Sequence, residues 1–379
     1  MDLLSGLWTS LPSLPRMLIA FAVVIGVLVF VHEMGHYLAA RWRGGHADPL
    51  AIGFGRPVLR WTDRHGTEWR LGWIPLGGYV KLHGQEQPAD VPPEVRAAWR
   101  PGETFHEKSV GSRAIVVAAG PVANFLLAIL LFGALFATIG KPVGSASIAA
   151  VVEGSAASRA GLMAGDEILA LDGQPVSRFD QVQRYVQARP GQPIELRLLR
   201  DNAEILRVAT PDTRDPAAEE GRRVGVLGVQ SGAARFERMD PVTALWAGVV
   251  TTGNMTWQTL VGIGEMIAGS RSATELGGPI RIAEISGQAA DLGIYPLINL
   301  MALLSISLGL LNLFPVPLLD GGHLLFYAAE AVRGRPLPPR AQEYAFRGGF
   351  ALLITLFLFA SWNDVAHGGI GRWVAGLFG

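Results

Sequence analysis

The strongest chemical signal in the chain is a pair of histidines four residues apart with a glutamate beside the first. Residues 32–36 read His-Glu-Met-Gly-His and follow directly on an apolar stretch. Residues four apart share one face of a helix, so His32 and His36 can reach one metal ion. Glu33 can then take a proton from a water that the metal activates. The alternative is that the helix ends at Val31 and these are polar residues of a membrane interface.

A catalytic zinc ion takes three protein ligands and keeps one open position, so a third ligand is needed. The chain has no cysteine, which leaves histidine and the acids. Residues 312–322 read Asn-Leu-Phe-Pro-Val-Pro-Leu-Leu-Asp-Gly-Gly and place Asp320 at the end of an otherwise apolar run. Pro315 and Pro317 break a helix, and the glycines admit other backbone closely. We predict Asp320 as the third ligand; the alternative is that it caps a helix after the break.

The composition is that of a membrane protein. Half of the 379 residues are hydrophobic and only 17% are charged, below the roughly 25% usual in soluble domains. The formal net charge is zero, so we predict no nucleic-acid partner. The absence of cysteine excludes disulfide frameworks and thiolate catalysis.

Apolar stretches predict about four transmembrane helices. Crossing about 30 Å of hydrocarbon needs about 20 mostly apolar residues. The four stretches cover residues 17–38, 114–139, 297–319 and 349–362; the fourth is short and needs its flanks. Residues 242–267 are less apolar, which favours an amphipathic or interfacial helix over a span.

The arginine content of the loops predicts the orientation. The loop after the first stretch and the connection between the third and fourth are rich in arginine, whereas the N-terminal tail carries only Arg16. Positive residues in short loops favour the cytoplasm. We therefore expect a bacterial inner-membrane protein with a periplasmic N-terminus, a periplasmic segment between spans two and three, and a site that opens near the cytoplasmic side.

The segment between spans two and three contains a predicted small α+β domain. Residues 161–173 read Gly-Leu-Met-Ala-Gly-Asp-Glu-Ile-Leu-Ala-Leu-Asp-Gly, which resembles PDZ domains. Residues 179–187 have a helical apolar pattern, and residues 194–199 are typical of a strand. We place this PDZ-like domain at 142–211. PDZ grooves bind extended peptides by strand addition, and the alternative is a spacer without a ligand.

The loop after the first span contains a predicted β-ribbon. Within residues 51–82, apolar residues alternate with turn signals, and residues 74–80 place Gly77 and Gly78 before strand-forming residues. Backbone at membrane depth needs protein or water around it, so we expect the ribbon beside a cavity. The fold class is thus a polytopic α-helical membrane protein with an inserted PDZ-like α+β domain and a membrane-associated β-ribbon. Its parts are a first half-core at 1–140 with a cytoplasmic ribbon loop at 39–112, the domain at 142–211, a linker with interfacial helices at 212–296, and a second half-core at 297–379.

In this order of motifs the chain resembles the site-2 protease family, in its bacterial RseP-like (regulator of sigma-E protease) branch. The resemblance covers nearly the whole chain and includes the PDZ-like domain. The matching runs are residues 32–36, 74–80, 120–125, 278–280 and 312–322. Better-known members of the branch carry two PDZ domains in tandem, whereas this chain has room for about one, which puts their account of substrate filtering in doubt here.

The resemblance implies roles for individual residues. It implies Zn²⁺ held by His32, His36 and Asp320, with Glu33 as the base. Asn312 is implied to steady the substrate backbone near the metal, and Asn124 is a weaker candidate for which packing is the alternative. The ribbon resembles the element that binds substrate as an added strand, which makes Gly77 and Gly78 substrate-binding candidates.

The resemblance also implies a function: a zinc metalloendopeptidase that hydrolyses peptide bonds within transmembrane segments. The expected substrates are single-span membrane proteins of the anti-sigma factor or remnant signal peptide type. The cut would be the second of a regulated cascade, and the PDZ-like domain would act as a size filter or docking site. One rival is a catalytically inactive PDZ-containing membrane scaffold. Another is a metal transporter, which would need ligands along a path, and the sequence offers one cluster.

Overall fold

The computed structural model describes residues 12–85, 91–97, 99–214, 224–232, 234–272, 274 and 276–367. The chain divides into two compact units: the helical unit, Met1–Leu135 with Val242–Gly379, and the inserted unit, Phe136–Pro241.

The described helices are α1 (Ser13–Trp42), α2 (Pro93–Ala97), α3 (Val110–Thr138), α4 (Ala156–Arg159), α5 (Phe179–Gln187), α6 (Pro241–Ile267), α7 (Pro279–Leu292), α8 (Ile294–Leu313), α9 (Asp320–Arg333) and α10 (Pro339–His367). The described strands are β1 (Ala47–Thr62), β2 (Glu68–Leu82), β3 (Lys141–Gly144), β4 (Ile148–Val151), β5 (Glu167–Leu171), β6 (Gln174–Pro175), β7 (Ile194–Arg200), β8 (Ala203–Ala209), β9 (Asp212–Arg214), β10 (Val224–Val226), β11 (Val229–Ser231) and β12 (Ala234–Glu237).

Four of the described helices are long and apolar enough to cross a membrane: α1, α3, α8 and most of α10. They correspond to the four predicted stretches. The fourth helix is much longer than the predicted 349–362, because the more polar flanks on both sides continue the same helix. Residues 242–267 form a single helix, α6, which is not among the four.

The third apolar stretch ends as a helix at Leu313, six residues before the predicted 319. Pro315 and Pro317 cannot donate to helical hydrogen bonds, so the backbone leaves the helical path after Phe314. Leu318 adopts a φ of 86°, which non-glycine residues rarely do, and α9 then begins at Asp320. The break therefore separates α8 from α9.

The ribbon of the helical unit is built from β1 and β2, which pair antiparallel with several register shifts. Leu50 has cross-strand partners on both sides, Val80 and Trp69, so the two bent strands form a sheet wider than a simple hairpin. Trp61 stacks on Trp69 at 5.8 Å between ring centroids. The predicted ribbon is present, and its base, with Leu50 fully buried, packs against α1.

A carboxylate from the last helix caps the N-terminus of α7. Asp364 of α10 accepts hydrogen bonds from the backbone N–H groups of Gly278, Ile280 and Arg281 at 2.7, 3.0 and 3.0 Å. The first N–H groups of a helix have no partner within the helix, and negative charge is favourable there. The side chain of Asp364 thus caps N–H groups that lie more than eighty residues before it in the sequence.

We expect Asp364→Ala to lower the free energy of unfolding by about 2 kcal/mol, because it leaves several N–H groups without an acceptor. The measurement is the denaturation midpoint of the detergent-solubilised protein. Glu343→Ala is the matched control on the same helix, since its ion pair with Arg347 is exposed and contributes little. Equal shifts in the two variants would refute the capping role.

The inserted unit is an α+β fold around a four-stranded sheet of order β6-β5-β7-β8. Alternate residues of β7, Ile194, Leu196 and Leu198, are fully buried and pack with Val182 and Val186 of α5. The unit is wider than the predicted 142–211, because β11 pairs with β4 and β12 pairs with β3. These strands are three or four residues long, too short to give a clear alternation in the sequence.

The glycine-rich run of this unit holds a buried ion pair. Asp166 is fully buried, and its carboxylate accepts hydrogen bonds from Nε and Nη2 of Arg200 at 2.6 and 2.7 Å. Burial alone would raise the pKa of Asp166, but the hydrogen bonds from Arg200 and from the Met163 N–H outweigh it and lower the pKa below its usual value. Asp166 is therefore a structural carboxylate that fixes the turn before β5.

Candidate metal centre

Helix α1 places the two histidines of the His-Glu-Met-Gly-His run on one face. His32 is buried, and its Nε2 lies 3.2 Å from Nε2 of His36. The rings meet edge to face at 4.8 Å between centroids. The helix continues to Trp42, so the alternative of an end at Val31 is wrong. Two imidazole nitrogens therefore point at one position from within an apolar helix.

Helix α3 supports both imidazoles from behind. Gly35 lets the helices touch, since a Cβ there would overlap the carbonyl oxygen of Ala119. Gly120 lies directly against the rings: a Cβ at this position would stand 2.5 Å from Cε1 of His36 and 2.9 Å from Cε1 of His32. Real Cβ atoms do not approach so closely, so the imidazoles occupy the space that any other residue at position 120 would take.

The outer nitrogens of both rings contact α3, which determines which nitrogen faces the metal position. Nδ1 of His36 lies 2.9 Å from the carbonyl oxygen of Val116 and donates its hydrogen to it. The amide nitrogen of Asn124 lies 3.1 Å from Nδ1 of His32, and its Oδ1 is buried without a partner among the described residues. We assign the amide the reverse orientation, because Oδ1 then accepts the Nδ1 hydrogen of His32. Both arrangements leave the Nε2 lone pairs free, as a metal ligand requires.

Asn124 was predicted as a weaker candidate for substrate binding, with packing as the alternative. It is fully buried against His32, and its backbone carbonyl accepts a hydrogen bond from Ser305 of α8 at 2.8 Å. These contacts favour the packing alternative. The sequence could not distinguish the two, because which face of α3 meets α1 is decided by packing.

Asp320 completes the cluster from the first turn of α9. Its Oδ2 lies 3.2 Å from Nε2 of His32 and 3.4 Å from Nε2 of His36. This oxygen is buried and has no hydrogen-bond partner among the described residues. Leu319 is the N-cap of α9 and Asp320 is the first residue of the helix, which argues against Asp320 as the cap.

The three donor atoms have the spacing that zinc requires. Their mutual distances are 3.2, 3.2 and 3.4 Å. Bonds of about 2.0–2.1 Å at tetrahedral angles put two ligand atoms about 3.3 Å apart. The triangle of donors therefore matches one face of a zinc tetrahedron. A buried Oδ2 without a hydrogen-bond donor is also what is expected of an oxygen that faces a cation. The residues fit zinc with one position open.

A cavity of about 690 Å³ adjoins the donor triangle, and Glu33 lines it with His32, His36 and Asp320. Glu33 is not part of the triangle. Strand β2 passes beside it, since a Cβ at Gly78 would stand 3.3 Å from Cγ of Glu33. The Glu33 carboxylate accepts a hydrogen bond from the backbone N–H of Val80 and faces the same cavity as the three donor residues.

Of the other predicted site residues, two line the cavity and one does not. Asn312 and Gly78 line the cavity. Gly77 is not among the lining residues; it has a φ of 81°, and a Cβ there would stand 2.6 Å from the ring of Phe54. This conformation favours glycine, which gives Gly77 a structural role in the ribbon whether or not it binds substrate. His323, for which the sequence predicted no role, also lines the cavity, about one helical turn after Asp320.

A family model described as peptidase family M50 matches residues 20–356. The chain belongs to peptidase family M50. Two proteins named "Putative zinc metalloprotease", from Rhizobium meliloti and Agrobacterium fabrum, are 45% and 44% identical to it. Those alignments cover 91% and 92% of this chain and 95% of each relative. Metalloprotease MmpA of Caulobacter vibrioides is 38% identical, over 96% of this chain and 98% of that protein.

The membership confirms the family predicted from the motifs, since M50 is the family of the site-2 proteases. Among solved structures, the PDZ domain of an SdrC-like protein from Listeria innocua is 18% identical and covers 24% of this M50 chain and 99% of its own. The TM-score is 0.20, which does not assign a fold.

Proposed function

We propose that this M50 peptidase is an intramembrane zinc metalloprotease that cuts transmembrane segments of single-span membrane proteins. The observation that carries the proposal is the donor triangle of His32, His36 and Asp320, with Glu33 beside it, on helices apolar enough to cross a membrane. Ionisable groups at that depth are costly, and such clusters are functional by default.

The mechanism assigns one role to each residue. Zinc, when bound, supplies Lewis-acid chemistry that activates water and polarises the scissile carbonyl. Its ligands are His32, His36 and Asp320. Glu33 takes the proton of the attacking water and returns it to the nitrogen of the leaving amine, which is general base and then general acid catalysis. Asn312 lies in the same cavity, where its amide can hold the substrate backbone.

Substrate presentation falls to the ribbon. A transmembrane helix hides its carbonyls in internal hydrogen bonds and must unwind before one can reach the metal. Gly78, Tyr79 and Val80 of β2 line the cavity, so this strand can pair with the unwound segment. The added strand replaces the lost helical hydrogen bonds, which matters where lipid offers none.

The inserted unit supplies a second candidate peptide site. A groove of about 310 Å³ runs between α5 and residues 224–229, and five of its eleven lining residues are valines, among them Val182 and Val186. We assign this unit the predicted PDZ-like role of binding an extended peptide or filtering substrates by size. It lies in the periplasm in the predicted orientation, with the N-terminus, and the metal centre lies near the cytoplasmic side. The proposed use is the second cut of a regulated cascade in the bacterial inner membrane.

Removal and return of the metal test the proposal. In proteoliposomes with a single-span reporter, a zinc chelator should stop cleavage, and added Zn²⁺ but not Mg²⁺ should restore it. Mass spectrometry of the products should place the cut bond inside the reporter's apolar segment. A cut in a flanking loop would refute intramembrane hydrolysis. A folded protein with neither zinc nor cleavage would favour the inactive PDZ-containing scaffold.

A further inference from the structure

Helix α9 carries one zinc donor, Asp320, but it is not a continuation of the preceding helix, α8. The non-helical break after α8 contains two prolines and the positive φ of Leu318, so helix continuity does not set the direction of α9. His32 and His36, in contrast, lie four apart on one helix. Alignment of the Asp320 carboxylate with the imidazoles therefore depends on tertiary contacts of α9.

A mostly buried ion pair joins α9 to α3. Nη2 of Arg113, in the first turns of α3, lies 2.7 Å from Oε1 of Glu330, and the side chains are 12% and 15% exposed. The guanidinium also lies 4.9 Å from the ring centroid of Tyr327. Its Nε donates to the carbonyl oxygen of Lys108 at 3.2 Å, and this hydrogen bond holds the guanidinium against the start of α3.

The same turn of α3 also holds one of the histidines. The carbonyl oxygen of Val116, three residues after Arg113, accepts the Nδ1 hydrogen of His36 at 2.9 Å. Val116 and Val117 are buried, and Leu324 and Tyr327 of α9 pack against their cluster. Residues 113–117 therefore contact the helix of the imidazoles and the helix of the carboxylate at once.

We propose that Arg113 and Glu330, with Tyr327, are positioning residues that set the register of α9 against α3 and so hold the Asp320 carboxylate in place for zinc. The inference rests on the proposed zinc function. Tyr327 and Glu330 follow Asp320 by seven and ten residues, on the side of α9 that lines the cavity. Loss of either charge leaves the other mostly buried and unpaired, and this penalty favours a displacement of α9 against α3.

Charge reversal on the full-length protein tests this. Arg113→Glu and Glu330→Arg should each raise the zinc dissociation constant at least about tenfold, the lower end of the effect of residues that orient ligands. The value is measured by competition with a chelator of known affinity. The double reversal should recover most of that loss, and kcat for reporter cleavage should follow zinc affinity. Reversal of the exposed pair Arg347 and Glu343 on α10 is the matched control and should change nothing.

The outcomes separate the possible failures. Where a reversal does not fold, Arg113→Lys and Glu330→Gln take its place, and smaller losses in the same direction are expected. Folded single variants with unchanged zinc affinity would overturn the positioning role. A rise in KM with zinc affinity unchanged would also overturn it and make the pair a substrate contact. A native protein that binds no zinc would instead contradict the proposed function itself.

Discussion

Glu33→Gln should reduce cleavage of a single-span reporter by about 10²–10⁴-fold, the usual contribution of a general base. Glutamine keeps the shape of the side chain but cannot take the proton of the attacking water. The three donor atoms are left in place, so the variant should still bind one zinc ion. Cleavage is measured in membranes that contain equal amounts of native and variant protein, and metal content is measured on the purified proteins.

The pair of measurements distinguishes the roles that Glu33 could have. Loss of cleavage with full zinc content supports the base. Loss of zinc as well would make Glu33 a ligand and contradict the donor triangle. Equal cleavage by both proteins would point to a contaminating protease and leave the mechanism without support.

Gly120→Ala should abolish both zinc binding and cleavage, although it adds one methyl group and lies on a helix that carries none of the donors. The new Cβ would stand 2.5 Å from Cε1 of His36, which forces an imidazole or α3 itself to move. A shift of an ångström suffices to break a coordination geometry that tolerates about 0.2 Å. Zinc content per folded protein is the measurement, with cleavage of the reporter beside it.

Gly111→Ala is the matched control on the same helix. A Cβ at Gly111 meets no described heavy atom within 4 Å, so alanine there should bind zinc and cleave like the native chain. Alanine also favours helix over glycine at both positions, which removes helix propensity as an explanation. Full zinc affinity in Gly120→Ala would show that the close approach of α3 to the histidines is relaxed in the membrane.

The parts of the centre that sequence could predict are those fixed by local geometry. His32 and His36 follow from helical spacing alone, and the break before Asp320 follows from two prolines. The contact between Asp320 and the imidazoles joins distant parts of the chain, and it was expected only from the place of this acid in an otherwise apolar run and from the family resemblance. The ion pair between Arg113 and Glu330 could not be predicted. An arginine near the start of a membrane helix is usually interpreted as a sign of cytoplasmic orientation, and nothing in the sequence connects it to a glutamate more than two hundred residues later.

The same limit applies to the inserted unit. Its helix α5 has the predicted bounds, because a strong apolar period of three and four is a local property. The pairing of β11 with β4 and of β12 with β3 was not expected. The partners lie about 80 to 95 residues apart, and strands this short carry too few residues to show a clear alternation. The groove beside Val182 was missed for the same reason.

The donor triangle also affects the stability of the folded protein and therefore its lifetime in the cell. Because its corners come from both ends of the chain, a bound ion is a cross-link that the unfolded chain lacks, and binding free energy becomes folding free energy. At a free zinc concentration a thousand times the dissociation constant, this linkage adds about 4 kcal/mol. Zinc supply would thus control not only the turnover of substrates but also the lifetime of the enzyme, with zinc-starved chains the first to open and be degraded.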